Sequence, residues 1–198
     1  MKDPREQHEE DRPRLARRVL HIGAKFNFEQ VEFVTDAGER VVREVVRHPG
    51  AVVILPIQSG GIDPTVILIR NFRLSIESTL WELPAGTLAR GEDPAECAVR
   101  ELEEETGFRA ATIQPLARYH LSPGMTDECM HAFVARDLVS VGQHTEIDEF
   151  ISVHPMSLSR VLRMIDSGEI TDAKTIATVL RFVRAAGSES NGSPQGST

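Results

Sequence analysis

The sequence is poor in the features that would take it outside ordinary globular proteins. Its 198 residues include only two cysteines, Cys97 and Cys129, enough for one disulfide but not for a disulfide scaffold. Long apolar runs are missing: the longest, Ala51–Ile57, falls far short of the roughly 20 residues a membrane-spanning helix needs. The opening MKDPREQHEEDRPRL has no apolar signal-peptide core. There is no basic surplus either, since 22 Lys and Arg face 30 Asp and Glu for a net charge of −8. That argues against nucleic acid or an anionic membrane as a partner. A chain so charged would need bound cations to handle phosphates. No internal repeat is visible. These absences leave a cytoplasmic, reducing setting as the expectation.

What remains is of globular composition, 40% hydrophobic and 26% charged. Residues 1–15 read as a disordered arm and 187–198 as a disordered tail without aliphatic or aromatic side chains. The first third reads as β structure. Arg18–His21, Phe26–Thr35 and Arg40–Arg47 are strand-like, the last two joined by an Asp36-Ala37-Gly38 turn. Ala51–Ile57 and Thr65–Ile69 read as buried strands. Further strands are expected near Gln114–His120, Met130–Ala135 and Phe150–Val153. Helices are expected over Met156–Ser167 and Thr171–Ala186. The mixture predicts an α/β/α sandwich around a mixed sheet, with a small N-terminal β domain over 16–48 and the main domain over 49–186.

One helix stands out. Asp93 suits the N-cap, Pro94 the first turn and Glu96 a capping box, and Gly107 suits the C-terminal cap. Between Glu92 and Glu105 lie seven acids and one base, Arg100. At 100° per residue, Ala95, Ala98, Val99, Leu102 and Thr106 share a face that should pack on the core. Glu101, Glu104 and Glu105 share another face, expected to be polar. Such a cluster is either a solvated charged face or a set of oxygen ligands for a hard cation.

The flanking residues choose between these. Gly86, five residues, Glu92, seven residues, then Arg100-Glu101-Leu102-Glu103-Glu104-Glu105-Thr106-Gly107-Phe108 resembles the Nudix box without a gap. Seven positions restricted to one residue type make a chance match remote. The resemblance implies a hydrolase of diphosphates linked to another moiety. It implies Mg²⁺ or Mn²⁺ held by Glu101, Glu105 and Glu104, with a main-chain carbonyl from Ala85. Arg100 and Glu92 would brace the site.

Trp81-Glu82-Leu83-Pro84-Ala85-Gly86, Arg70-Asn71-Phe72-Arg73 and Pro123, sixteen residues after Gly107, resemble the ADP-ribose pyrophosphatase branch. GDP-mannose hydrolases share several of these markers. The branch implies a nucleoside diphosphate sugar as substrate and a homodimer built through the N-terminal strands. It implies substrate-contacting arginines at Arg43 and Arg73, residues that a surface ion pair would equally explain. Trp81 serves either core packing, which its place in the sheet favours, or stacking on a base. The Asp148-Glu149-Phe150-Ile151 segment resembles the one carrying the general base, here Glu149, with Glu146 next. His144 and the box residue Glu104 are further candidates. The rivals are another nucleotide-sugar or dinucleotide hydrolase, or an ADP-ribose-binding module without turnover.

Overall fold

Apolar residues that alternate along one stretch and run unbroken along the next give two kinds of sheet. The protein is described by a computed structural model covering residues 14–59, 61–143 and 150–190. It divides into two compact units.

The first unit holds the residues up to His48 together with Ser122–Glu128. Strands β1 (Ala16–Ile22), β2 (Asn27–Val34) and β3 (Arg40–Arg47) form an antiparallel three-stranded sheet in that order. The turn between β2 and β3 is closed by the Gly38 N–H donating to the Thr35 carbonyl at 2.9 Å, with Gly38 at φ 81°. Ser122–Glu128, assigned by sequence order to the main domain, clusters with this sheet instead. The Val46 N–H donates to the Met125 carbonyl at 2.9 Å, and Asp127 accepts from Arg47 and from the His48 N–H.

The second unit holds a seven-stranded mixed sheet. Its members are β4 (Ala51–Ser59), β5 (Thr65–Arg73), β6 (Ser78–Glu82), β7 (Ala85–Thr87), β8 (Phe108–His120), β9 (Cys129–Ser140) and β10 (Ile151–Ser157). The order is β10-β5-β4-β9-β8, with β6 on β5 and β7 on β4. Among the described strands of this sheet, β4 and β9 run parallel and the other pairs antiparallel. Ala51, Val53, Leu55 and Ile57 of β4 point to one face, against Val161 and Met164 of α2 (Leu158–Asp166) and Val179 of α3 (Ala173–Ser190). Val52 and Ile54 point to the other, against Cys97, Ala98 and Leu102 of α1 (Pro94–Thr106). This is the α/β/α sandwich, and both faces of β4 are buried because both are apolar.

Several boundaries differ from the pattern reading. Strand β10 continues to Ser157, because it pairs with β5 as far as Ser157–Thr65. As an edge strand it accommodates Pro155, whose missing N–H breaks no ladder bond there. Helix α2 therefore begins at Leu158, capped by the Ser157 side chain. Helix α3 extends a turn past Ala186, to Ser190.

Strands β6 and β7 were not resolved by pattern, and they matter most for the site. They pair with different neighbours, and the Leu83–Pro84 link crosses between them. The Ile54 N–H donates to the Pro84 carbonyl at 2.9 Å, which fixes that crossing against the middle of the sheet.

Core packing sets the expected mutational scale. Leu55 is fully buried while Leu74 is 81% exposed. Leu55→Ala should lower unfolding free energy by about 2–5 kcal/mol, and Leu74→Ala by less than about 0.5 kcal/mol. Denaturant titration of both variants measures this.

Candidate active site

The site is built where β7 meets α1. The Asp93 side chain caps the helix by accepting from the Ala95 and Glu96 N–H groups, and Pro94 occupies the first helical position. Gly107 ends it at φ 71°, its N–H donating to the Glu103 carbonyl. A side chain is excluded at Gly107 on a second ground: a Cβ there would lie 2.8 Å from the Gln143 nitrogen. The Val141 N–H donates to the Gly107 carbonyl at 2.8 Å, and Gln143 donates through Nε2 to the Glu105 carbonyl at 2.7 Å. The exit of β9 thus closes the C-terminal turn of α1.

The helix is rotated from the expected face. Cys97, Ala98, Glu101, Leu102, Glu105 and Thr106 are buried, whereas Val99 is 42% exposed and Ala95 is exposed. Glu105, expected on a polar surface, is 2% exposed. The reason is what lies opposite. Strand β7 offers backbone polar groups and a glycine rather than apolar side chains. The Ala85 N–H donates to Glu105 Oε2 at 2.8 Å. A Cβ on Gly86 would sit 1.9 Å from the Glu101 carboxyl carbon, so the Glu101 carboxylate fills the space that this glycine leaves open.

Arg100 ties the outer side together. Its Nε and Nη2 grip Glu92 at 3.0 and 3.2 Å, and its Nη1 reaches Glu101 at 2.7 Å and Glu104 at 3.0 Å. Glu92 also accepts from the Ala89 N–H at 2.7 Å. The Arg100 guanidinium, helped by that N–H, lowers the Glu92 carboxyl from its ordinary 4.5 to about 2. Arg100 itself is raised, chiefly by the same pair.

The structure therefore brings Ala85, Glu101, Glu104 and Glu105 to one place. The donor set is all oxygen, as a hard divalent cation requires. Among the described residues, no three His, Cys, Asp or Glu side chains form a ready cation cage. Arg100 bridges Glu101 and Glu104, and Glu105 is engaged with the Ala85 N–H. The residues fit a divalent cation by the chemistry of their donors and by the cradle at Gly86.

The other sequence candidates separate. Arg73 grips the buried Glu82 with Nε and Nη2 at 2.7 and 2.5 Å. That carboxylate holds Arg73 above its usual range against the opposing effect of burial, with the Glu105 charge adding to the rise. Arg73 thus lies in an ion pair and within the field of a box carboxylate. By sequence, Glu82 reads only as part of the approach to the box. Its signal is an acid flanked by Trp81 and Leu83. Trp81 packs on the core and meets the His154 ring edge-on at 4.9 Å, with the Arg70 guanidinium 5.2 Å from its centre. Its setting is that of a packed residue. Arg43 is exposed on β3 of the first unit, donating to the Val42 carbonyl. His144, Glu146 and Glu149 lie outside the described residues.

The depressed Glu92 carboxyl has a pH consequence. Its contribution to stability is fully present above pH 4.5 and is lost as pH falls toward 2. The difference in melting temperature between wild type and Glu92→Gln should therefore be constant near neutrality and should vanish across that window. Calorimetry at stepped pH checks it.

Comparison with known proteins agrees with this geometry. Residues 46–179 match the family model described as NUDIX domain. ADP-ribose pyrophosphatase of Bacillus subtilis (strain 168) is 40% identical over 140 residues, 70% of this chain and 74% of that one. ADP-ribose pyrophosphatase of Mycobacterium tuberculosis is 36% identical over 177 residues, 87% of this chain and 83% of that one. A crystal structure of an ADP compounds hydrolase superposes with TM-score 0.76 at 21% identity, covering 89% of this chain and 95% of that one, and so shares the fold. The gapless box is seated as a capped helix whose carboxylates turn inward, and the family match spans most of the chain: this protein belongs to the Nudix hydrolases.

Proposed function

We propose that the chain hydrolyses the diphosphate of ADP-ribose, giving AMP and ribose 5-phosphate, in a reaction that requires Mg²⁺ or Mn²⁺. The observation that carries this reading is the inward carboxylate face of α1, seated on Ala85–Gly86 with Arg73 in the same field. Relatives named ADP-ribose pyrophosphatase, similar over about three quarters or more of their own length, supply the substrate class. Glu101, Glu104, Glu105 and the Ala85 carbonyl would hold the cation. A divalent cation there supplies Lewis-acid polarisation and offsets diphosphate charge. Arg100 and Glu92 keep the carboxylates in place. Arg73 and Arg43 bind phosphate oxygens, and Trp81 braces the sheet beside the substrate. Glu149 takes the proton of the attacking water while a P–O bond of the bridging oxygen breaks; Glu146 is the next choice, and Glu104 the third.

The functional assembly is proposed to be a homodimer formed through the β1–β3 sheet. In the isolated chain that sheet exposes Val19, Ile22 and Val34 at 49, 75 and 58%, and its β1–β2 connection exposes Phe26 at 51%; this much exposed apolar surface calls for a cover. Both cysteines are unpaired and buried, as suits a reducing, cytoplasmic setting. Among the described residues no helix is long and apolar enough to cross a membrane.

Activity, binding and sedimentation experiments test the reading. Product release should be screened over ADP-ribose, GDP-mannose, UDP-glucose, NADH and dinucleoside polyphosphates, with and without EDTA. Turnover of ADP-ribose should disappear in EDTA and return with Mg²⁺ or Mn²⁺. Glu105→Gln should lower kcat/KM on the order of 100-fold or more and weaken cation binding. Glu149→Gln should lose turnover while retaining cation and substrate binding. Binding without turnover in wild type would instead identify a sensor module. Sedimentation equilibrium should give twice the 21.9 kDa chain mass, and Ile22→Glu should shift it toward the monomer.

A further inference from the structure

The buried carboxylate of Glu82 does not end at Arg73. Its Oε2 also accepts from Lys174 Nζ at 2.5 Å, and Lys174 donates a second bond to Asp172 Oδ1 at 2.9 Å. Asp172 Oδ2 accepts from the Thr175 hydroxyl at 2.6 Å and its N–H at 3.0 Å. The Thr175 hydroxyl oxygen in turn accepts from the Leu83 N–H at 2.8 Å. The charges alternate from the site inward: Arg73, Glu82, Lys174, Asp172. The Arg73 side chain is 39% exposed, while those of Glu82 and Lys174 are buried at 1% and 9%.

The root of Lys174 is fixed as well. Its carbonyl accepts from the Tyr119 hydroxyl at 3.0 Å and the Thr178 hydroxyl at 2.7 Å. At the other end, Arg73 Nη1 makes no hydrogen bond to any described residue. A guanidinium gripped along one edge by a bidentate carboxylate leaves its other edge aimed and available for phosphate oxygens. Burial alone would raise the Glu82 carboxyl, yet the two cations hold it lowered and charged.

We propose that Lys174 is a positioning residue for the hydrolytic site: by sharing the Glu82 carboxylate with Arg73 it fixes the Arg73 guanidinium so that its open edge meets the substrate diphosphate. With Lys174 absent, Arg73 is the one cation left on Glu82 among the described residues, and the buried carboxylate draws the guanidinium inward. The proposal rests on the reading of Arg73 as a diphosphate ligand, and its test separates the two.

The experiment compares wild type, Lys174→Met, Lys174→Arg, Arg73→Met and the Lys174→Met/Arg73→Met double variant, each checked for an intact fold by thermal melting. The first readout needs no substrate. It is the ¹⁵N-detected Nε–H signal of Arg73, assigned by its loss in Arg73→Met. That signal should keep one chemical shift in wild type and Lys174→Arg and should move to a different shift, without faster exchange, in Lys174→Met. The second is ADP-ribose binding by calorimetry in EDTA, together with the split between KM and kcat in Mg²⁺. Lys174→Met should weaken binding and raise KM about tenfold, with kcat changed less than about threefold. Lys174→Arg should restore most of the affinity. In the Arg73→Met background the Lys174→Met change should have no further effect. An unchanged Arg73 signal in Lys174→Met, or full additivity of the two substitutions, overturns the proposal. If wild type binds no ADP-ribose, the substrate reading falls, while the Arg73 signal still decides whether Lys174 holds the guanidinium. If Lys174→Met fails to fold, the Lys174→Gln variant and the same signal decide it.

Discussion

The site depends on two carboxylates, Glu101 and Glu105, being held on the inner side of a helix, where charged groups are expensive to place. A buried carboxylate is tolerated only when paired or hydrogen-bonded, and one left alone costs several kcal/mol. Each has its own remedy here. Glu105 accepts from the Ala85 N–H. Glu101 accepts from Arg100 and occupies the room that Gly86 leaves by having no side chain. Removing either remedy takes a compensating contact away from a buried charge. The glycine at position 86 and the arginine at position 100 are therefore parts of one device. One makes the space, and the other neutralises what fills it.

That device needs a backbone to present it, and the sheet supplies one by splitting. Strand β4 pairs with β7 at Ala51–Val53 and with β5 at Ile57–Ser59. Between those stretches the Leu83–Pro84 link is held by the Ile54 N–H and by the Thr175 hydroxyl. The first bond comes from the sheet and the second from the start of α3. The position of Ala85 is thus set by two layers of the sandwich while α1, from the opposite layer, brings the glutamates to it. The box carboxylates sit where all three layers converge.

The same junction explains why Glu82 and Lys174 are buried together. An acid in β6 and a base in the first turn of α3 are 92 residues apart. They meet because the split sheet leaves a polar seam beneath Arg73. A seam of alternating charges in a low-dielectric interior holds direction better than a lone exposed pair, since water competes less for each partner.

Local signals were sufficient for much of this. The Asp93 cap, the Pro94 start and the Gly107 stop lie within one helix, and each acts on the backbone beside it, so the sequence alone determined where α1 begins and ends. The spacing of Gly86, Glu92, Arg100 and the three glutamates likewise determined the family and the hard-cation chemistry. The rotation of α1 did not follow from its own periodicity. Glu101 and Glu105 are buried and Val99 is exposed because β7, which pairs elsewhere in the sheet, offers N–H groups and a glycine instead of a hydrophobic surface. The length of β10 was hidden for a related reason: Pro155 reads as a strand breaker, and only an edge position with β5 on one side makes it harmless. The Glu82–Lys174 pair lay beyond any local pattern. Residue type determined which groups could bind cations and phosphate. Tertiary contact decided which of them were desolvated, paired and aimed, because burial and hydrogen bonding are properties of the neighbours a fold supplies and not of the residue that receives them.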